Sequence, residues 1–416
     1  MTKRIVILGG GTGGTLTANR LRKAISPHEA EIVVIDQNNQ HIYQPGLLFI
    51  PFGMATLEEI VRPRSRQLHS GIEFRETAID HVDIQADQVY LSDGSSLGYD
   101  VLIIGTGAVL QPEETEGLVG PGWMKNVFTF YDPEGAVALH QALDAFTGGR
   151  VAVNVVDMPI KCPVAPLEFC FLADWYFHER GIRDKVDLIY VTPLDGAFTK
   201  PVASKALGQL LSQKSIEVIT EYNTGQVDEE KGRLISYDGR EVPYDIAVMI
   251  PAHGGSPYIG RSEGLGDELN FLPTDKHTLQ TTVKPNIFAL GDAAGVPTSK
   301  AGSVSHFEGE IIVENVTRFL SGKSLDASFD GHSNCFIESG FHKALLIDFD
   351  YDTEPLPGHY PTEVGMPLLK ESHLNHLGKL MFQSFYWHSL LPGRDIPGIG
   401  SSMPTHGKHF EALEHS

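Results

Sequence analysis

The first apolar run, Ile5-Val6-Ile7-Leu8, is unbroken, the pattern of a strand buried on both faces. A cluster of glycines comes next, and the pattern beyond it predicts a helix over about Thr15 to Ala24. Glu31 to Ile35 is the next predicted strand, ending at Asp36. Gln37 to Leu97 is less regular: Arg62-Pro63-Arg64 marks a turn and Asp93-Gly94 a hairpin. Val101-Leu102-Ile103-Ile104 then returns the chain to the sheet.

An internal repeat organises the rest of the chain. Tyr99-Asp100-Val101-Leu102-Ile103-Ile104-Gly105-Thr106-Gly107 is echoed by Tyr244-Asp245-Ile246-Ala247-Val248-Met249-Ile250-Pro251-Ala252. Each closes an α/β unit, the first beginning at Arg4 and the second at Val151. The expectation is an α/β protein of two Rossmann-like dinucleotide-binding domains, the second inserted in the first. Residues 1–110 and 271–325 would form the first, 111–270 the second, and 326–416 a C-terminal extension with one amphipathic helix.

Composition narrows the partners. The 416 residues carry Lys+Arg 32 against Asp+Glu 53, a formal net charge of −21. So acidic a surface repels phosphate backbones, which argues against nucleic acid. It also resists anionic lipid, so any membrane contact must be local and apolar. No run reaches the roughly 18 apolar residues of a spanning helix. No apolar leader precedes the first strand, so the expected location is the cytoplasmic side of the cell membrane, attached peripherally. A homo-oligomer is left open.

The chemistry starts at Gly9-Gly10-Gly11-Thr12-Gly13-Gly14, a G-x-G-x-x-G between a strand and a helix. Glycines there allow a tight turn and close approach to a pyrophosphate, whose charge the helix N-terminus favours. Asp36, 22 residues past Gly14 at the end of the second strand, stands where a ribose hydroxyl is bound, with Gln37 beside it. Pro285-Asn286-Ile287-Phe288-Ala289-Leu290-Gly291-Asp292-Ala293-Ala294-Gly295 resembles the second FAD fingerprint of flavoproteins with two dinucleotide-binding domains. That resemblance implies FAD, bound by Gly9, Gly11, Thr12, Gly13, Gly14, Asp36, Gln37, Thr106, Gly107, Gly291 and Asp292. It also implies a helix after Asp292 aimed at the flavin. Lys300 is placed to reach a flavin or quinone carbonyl, and His253 is a further candidate proton carrier.

The second unit lacks its own glycine turn. After Val151 to Val156 the chain reads Asp157-Met158-Pro159-Ile160-Lys161-Cys162-Pro163, which cannot supply a close, donor-rich turn. The next strand, Asp187 to Val191, ends in Thr192-Pro193 with no acid for a ribose. A nicotinamide site is therefore not expected.

Three cysteines, Cys162, Cys170 and Cys335, cannot form a fully paired framework and show no zinc spacing, so no metal is expected. Cys162 precedes a helix predicted from Pro166 to about Arg180, beside Lys161; both features predict a lowered thiol pKa. Cys170 falls between Phe169 and Phe171 and reads as core. The segment Cys162-Pro163-Val164-Ala165-Pro166 resembles the redox-cysteine motif of sulfide:quinone oxidoreductases, and Cys335 matches the family's second redox cysteine by position. The resemblance covers about residues 3 to 395. It implies sulfide and a quinone as substrates, Cys162 and Cys335 as catalytic pair, and polysulfide or sulfur as product. A further cysteine found in several members has no counterpart around Phe128-Thr129-Phe130-Tyr131.

His376 to His388 resembles the amphipathic segment with which that family sits on membranes, and Phe385, Tyr386 and Trp387 suit such a boundary. Phe336 and Phe341, flanking Cys335, and Phe385 are candidates to stack on a quinone. Three alternatives stay open. One is an NADH:quinone dehydrogenase, since His41-Ile42-Tyr43-Gln44-Pro45 resembles a stretch found there. The others are the flavoprotein subunit of a cytochrome-linked sulfide dehydrogenase and a non-catalytic, redox-responsive binding module.

Overall fold

A computed structural model describes residues 2–394 and 400–410. Within the predicted C-terminal extension, residues 395–399 and 411–416 lie outside the described residues. Five parallel strands form the first sheet, in the order Ile287–Ala289, Val101–Ile104, Lys3–Leu8, Ala30–Asp36, Ile72–Glu76. Ile5 to Leu8 and Val101 to Ile104 are wholly buried, as unbroken apolar strands covered on both faces must be.

A second parallel sheet repeats the design. Its order is Val127–Phe128, Ile246–Ile250, Gly149–Val155, Val186–Val191, Glu217–Ile219. The two strands of the sequence repeat hold equivalent places, each beside the strand that opens its unit. Each sheet is also joined by a three-stranded antiparallel flap, residues 79–98 in one case and 224–243 in the other. Asp93-Gly94 does turn a hairpin there. The outgoing and returning chains run side by side, Ala108–Leu110 antiparallel to His253–Gly255.

The helix after the glycine cluster spans Thr12–Ala24, with Gly11 as its cap, and so begins earlier than the sequence pattern predicts. Glycine is a poor helix former, and only the tertiary contacts hold Gly13 and Gly14 in the first turn. Helix Gly302–Leu320 packs against it at close range: a Cβ on Gly309 would lie 2.3 Å from Leu16 Cδ1. That helix does not follow Asp292 directly. A single 3-10 turn, Gly291–Ala293, and a loop intervene.

The tail contains an unanticipated β-hairpin, Ser333–Gly340 with Lys343–Phe349. Its turn uses Phe341 and His342, both at positive φ, in place of the Asn-Gly type that would have marked it. Helix His373–Phe385 comes after it and continues into a π-helical turn, Tyr386–Leu390. No described helix is long and apolar enough to cross a membrane.

Candidate active site

A cavity of about 690 Å³ runs from the glycine turn to Cys162. Gly9 sits at φ +91°, and a Cβ there would lie 2.6 Å from the Gly105 carbonyl. On Gly14 a Cβ would come within 1.8 Å of the Gly9 carbonyl, whereas at Gly11 it would meet open space. The turn is thus closed on its inner side and open towards the cavity, at a helix N-terminus, as a pyrophosphate requires. Asp36 accepts the Gly10 N–H at 2.8 Å and pairs with the buried Arg64, yet still lines the cavity with Gln37. Arg64, read from sequence only as part of a turn, therefore fixes the carboxylate.

Gly9, Gly11, Thr12, Gly13, Thr106, Gly107, Gly291, Asp292 and Lys300 all line the same cavity. Gly14 stands behind the turn. Ala301 and Gly302 bring the N-terminus of the helix Gly302–Leu320 to the wall, so the distant helix still presents its positive end. Burial pushes the Asp292 carboxyl up, with Lys300 and Lys161 opposing. Lys300 donates to the carbonyls of Asp292 (2.7 Å) and Ala294 (3.2 Å), bracing the second fingerprint. The glycine cradle, the two acids and two helix ends fit an extended dinucleotide such as FAD.

Cys162 also lines the cavity. Its N–H donates to the Lys300 carbonyl at 2.7 Å, and its own carbonyl accepts from Tyr131 Oη at 3.2 Å. These bonds hold it at φ +48°. Cys335, on the unanticipated hairpin, is half-buried and packs against the apolar cores of both units. Cys335 is among the groups whose charge raises the Cys162 pKa, so the hairpin brings the two thiols into one electrostatic site.

The expected lowering of the Cys162 pKa is not found. Burial pushes this thiol well up, Glu168 and Cys335 add to the effect, and Lys379 opposes it. Lys161 cannot help, because its ammonium lies over the Tyr131 ring and reaches Gln44 Oε1 at 3.4 Å. The helix starts only at Ala165, whose N–H already bonds the Cys162 carbonyl. Cys335 is pushed up to about 11 by burial, against the Ser333 hydroxyl and Lys379.

Two residues of the candidate site escaped the sequence reading, Glu168 and Lys379. Both line the cavity, and Lys379 Nζ lies 2.6 Å from Glu168 Oε1. The available signal was a single charge set in an apolar helix: Glu168 before Phe169-Cys170-Phe171, and Lys379 between Leu377 and Phe382. A lone charge among apolar neighbours must find a partner when buried.

The aromatic candidates are placed differently. Phe336 points from the opposite face of the hairpin to Cys335, towards Leu346, Tyr360 and Leu368, and contributes only its carbonyl, which accepts from Lys379. Phe341 is 38% exposed at the turn, beside His178 and Lys214. Phe385 packs on Phe382, and it is Phe382 that lines the cavity. His253 is buried against Tyr131. Cys170 is buried in the core. Among the described residues no cluster of three or more His, Cys, Asp or Glu could hold a metal ion.

Fold and site define an FAD-dependent oxidoreductase, and the chain belongs to the pyridine nucleotide-disulphide oxidoreductase family, whose sequence pattern matches residues 3–308. Within that family it is similar to the mitochondrial sulfide:quinone oxidoreductase of Mus musculus, 24% identical over 94% of this chain and 86% of the relative. The solved sulfide:quinone oxidoreductase of Aquifex aeolicus superposes with a TM-score of 0.80 at 21% identity, over 95% of this chain and 93% of the other. The type II NADH:quinone oxidoreductase of Staphylococcus aureus is 23% identical over 86% of this chain and 91% of its own.

Proposed function

We propose that this protein oxidises sulfide and delivers the electrons to a membrane quinone through Cys162 and Cys335. The observation that carries the reading is their convergence: two thiols distant in sequence share one buried Glu168–Lys379 pair at the wall of a dinucleotide-sized cavity. Hydrosulfide attacks a disulfide between the two cysteines, leaving a persulfide on one and a thiolate on the other. Bound FAD would supply a two-electron acceptor for the two cysteine thiolates and a two-electron donor for the quinone. Lys379 stabilises the thiolate, and Glu168 stands beside it to exchange a proton. A second hydrosulfide attacks the outer sulfur of the persulfide and leaves with it as the start of a polysulfide, freeing the second cysteine as a thiolate. The disulfide re-forms between the two cysteines as they give up two electrons.

The NADH-oxidising alternative is disfavoured by the Asp157-Met158-Pro159 turn, which offers no glycine cradle after Gly149–Val155. Helix His373–Phe385 supports a peripheral site on the membrane, because Leu374, Leu377, Leu380 and Met381 are all exposed along it.

The test is spectroscopic and anaerobic. Sulfide should bleach the flavin and a short-chain ubiquinone restore it, with NADH inert in parallel. Cys162→Ser and Cys335→Ser should each retain FAD and lose sulfide bleaching. Sulfide turnover persisting in either variant would remove the assigned pair.

A further inference from the structure

Oxidising hydrosulfide to the sulfane level releases one proton and two electrons, whereas reducing a quinone to its quinol takes up two of each. One proton per cycle must therefore reach the quinone from water, and more if the sulfide-side proton leaves elsewhere. The cavity wall holds Glu168 and Lys379, but Glu168 is only 1% exposed and does not itself meet solvent.

Behind the pair stands Glu338, 1% exposed on the hairpin that carries Cys335, its N–H donating to Glu168 Oε1 at 2.8 Å. Its carboxylate oxygens lie 2.9 and 3.0 Å from His376 Nδ1. His376 sits on the inner side of helix His373–Phe385, its side chain 10% exposed, between the exposed Leu374 and Leu377. Its ring meets the edge of His342 at 5.6 Å, and His373 Nδ1 bonds the His342 carbonyl at 2.7 Å. Polar groups thus follow one another from the exposed His342 and His373, through His376 and Glu338, to the Glu168–Lys379 pair at the cavity, with one gap between the Glu338 carboxyl and Glu168.

We propose that His376 and Glu338 are the proton inlet of the quinone side, relaying protons from surface water to the Glu168–Lys379 pair. This rests on the proposed quinone chemistry. Once Glu338 has passed its own proton inward, a proton arriving at His376 Nε2 sends the one on Nδ1 to Glu338. The ring is then neutral as the Nε2–H tautomer, and exchange with water restores the Nδ1–H form. Lys379 pairs with Glu168 rather than with Glu338, so the Glu338 carboxyl must swing or use one bridging water for the last hop. Lys379, Glu168, His342 and His376 face Glu338, while Glu338, His373 and His342 face His376. Burial pushes Glu338 up to about 8, Lys379 opposing and Glu168 adding, so at neutral pH the carboxyl is loaded and can still release its proton. Burial and then His373 lower His376, keeping the ring neutral between transfers.

The test isolates the quinone half-reaction. Holoprotein is reduced with dithionite, mixed with decylubiquinone, and flavin reoxidation followed against pH, without sulfide. His376→Ala and Glu338→Gln should slow reoxidation roughly 10- to 100-fold, most above neutral pH. Millimolar imidazole should restore His376→Ala but not Glu338→Gln. Reoxidation and pH profile unchanged from wild type in both variants would overturn the inlet. So would slowing in His376→Ala that imidazole does not relieve while the conservative His376→Gln reoxidises normally. Failure of the wild type to be reoxidised by the quinone would instead overturn the proposed function itself, the inlet with it.

Discussion

Lys379 Nζ lies 2.6 Å from Glu168 Oε1 and 3.2 Å from the Phe336 carbonyl, so one ammonium pins three segments. They are the helix that follows Cys162, the strand that carries Cys335, and the C-terminal helix that exposes its apolar side. Buried pairs of this kind contribute little net stability, but losing one partner strands the other charge and costs about 3–5 kcal/mol. Position, not stability, is therefore the pair's main contribution.

The two charges act on the thiols in opposite senses, Glu168 raising and Lys379 lowering the pKa of both Cys162 and Cys335. Glu168→Gln should accelerate thiol alkylation by iodoacetamide at a fixed alkaline pH, and Lys379→Met should slow it. Mapping the alkylated cysteines by mass spectrometry decides which thiol responds. Equal rates in the two variants would mean that burial alone sets thiol reactivity.

The glycine turn permits a sharper test. A methyl group on Gly14 would overlap the Gly9 carbonyl at 1.8 Å, a contact with backbone that cannot move aside. Gly14→Ala should therefore open the turn and be purified with most of its FAD missing. Gly11→Ala, whose Cβ meets nothing within 4 Å, should retain more. Flavin-to-protein absorbance ratios compare the two directly.

Much of the nucleotide site was legible because its signals are local. A strand, Gly9 to Gly14 and Asp36 lie within one contiguous stretch, and their spacing alone specifies a cradle. Gly291-Asp292 needed only the company of that first motif. The thiol site was less legible, because it is assembled across the fold. Cys335 reaches it on a hairpin whose turn, Phe341-His342, gives no turn signal, and Glu168 and Lys379 have meaning only as a pair. The lowered Cys162 pKa was expected from neighbours in sequence, Lys161 and a helix start. In space Lys161 turns to Tyr131, and burial decides the sign.

Two buried carboxyls make stability depend on pH. Glu308 accepts the Gly291 N–H at 2.6 Å and is pushed up to about 8 by burial, against that bond and Lys300, with Asp292 adding. Glu338 is likewise raised to about 8. A raised folded pKa means that the native state holds protons the unfolded state has released. The stabilisation is fully present below about pH 4.5 and is lost as pH rises to about 8. Thermal midpoints of the holoprotein should fall between about pH 5 and about pH 8, and Glu308→Gln should flatten the slope. A midpoint that rises across this window in the wild type would contradict the assignment.

Tyr386 links the π-helical turn Tyr386–Leu390 to the glycine turn. Its hydroxyl lies 2.7 Å from both Thr12 Oγ1 and His41 Nε2, while His41 Nδ1 lies 3.1 Å from the Gly10 carbonyl. Burial, with Arg64 nearby, lowers His41 to about 3, so the ring is neutral. Since Gly10 offers only an acceptor, Nδ1 carries the proton and Nε2 must accept from Tyr386, leaving the tyrosine oxygen to accept from Thr12. Each hydrogen of the chain is then assigned, and removing the phenol oxygen orphans the buried His41 Nε2 at about 1–3 kcal/mol and frees the half-buried Thr12 hydroxyl at the cavity wall. Tyr386→Phe should lower the thermal midpoint and speed FAD loss, without changing the thiol alkylation rates. A variant with native FAD retention would show that the turn Tyr386–Leu390 only packs against the flavin domain, and that docking of the C-terminal helix is not relayed to the glycine turn.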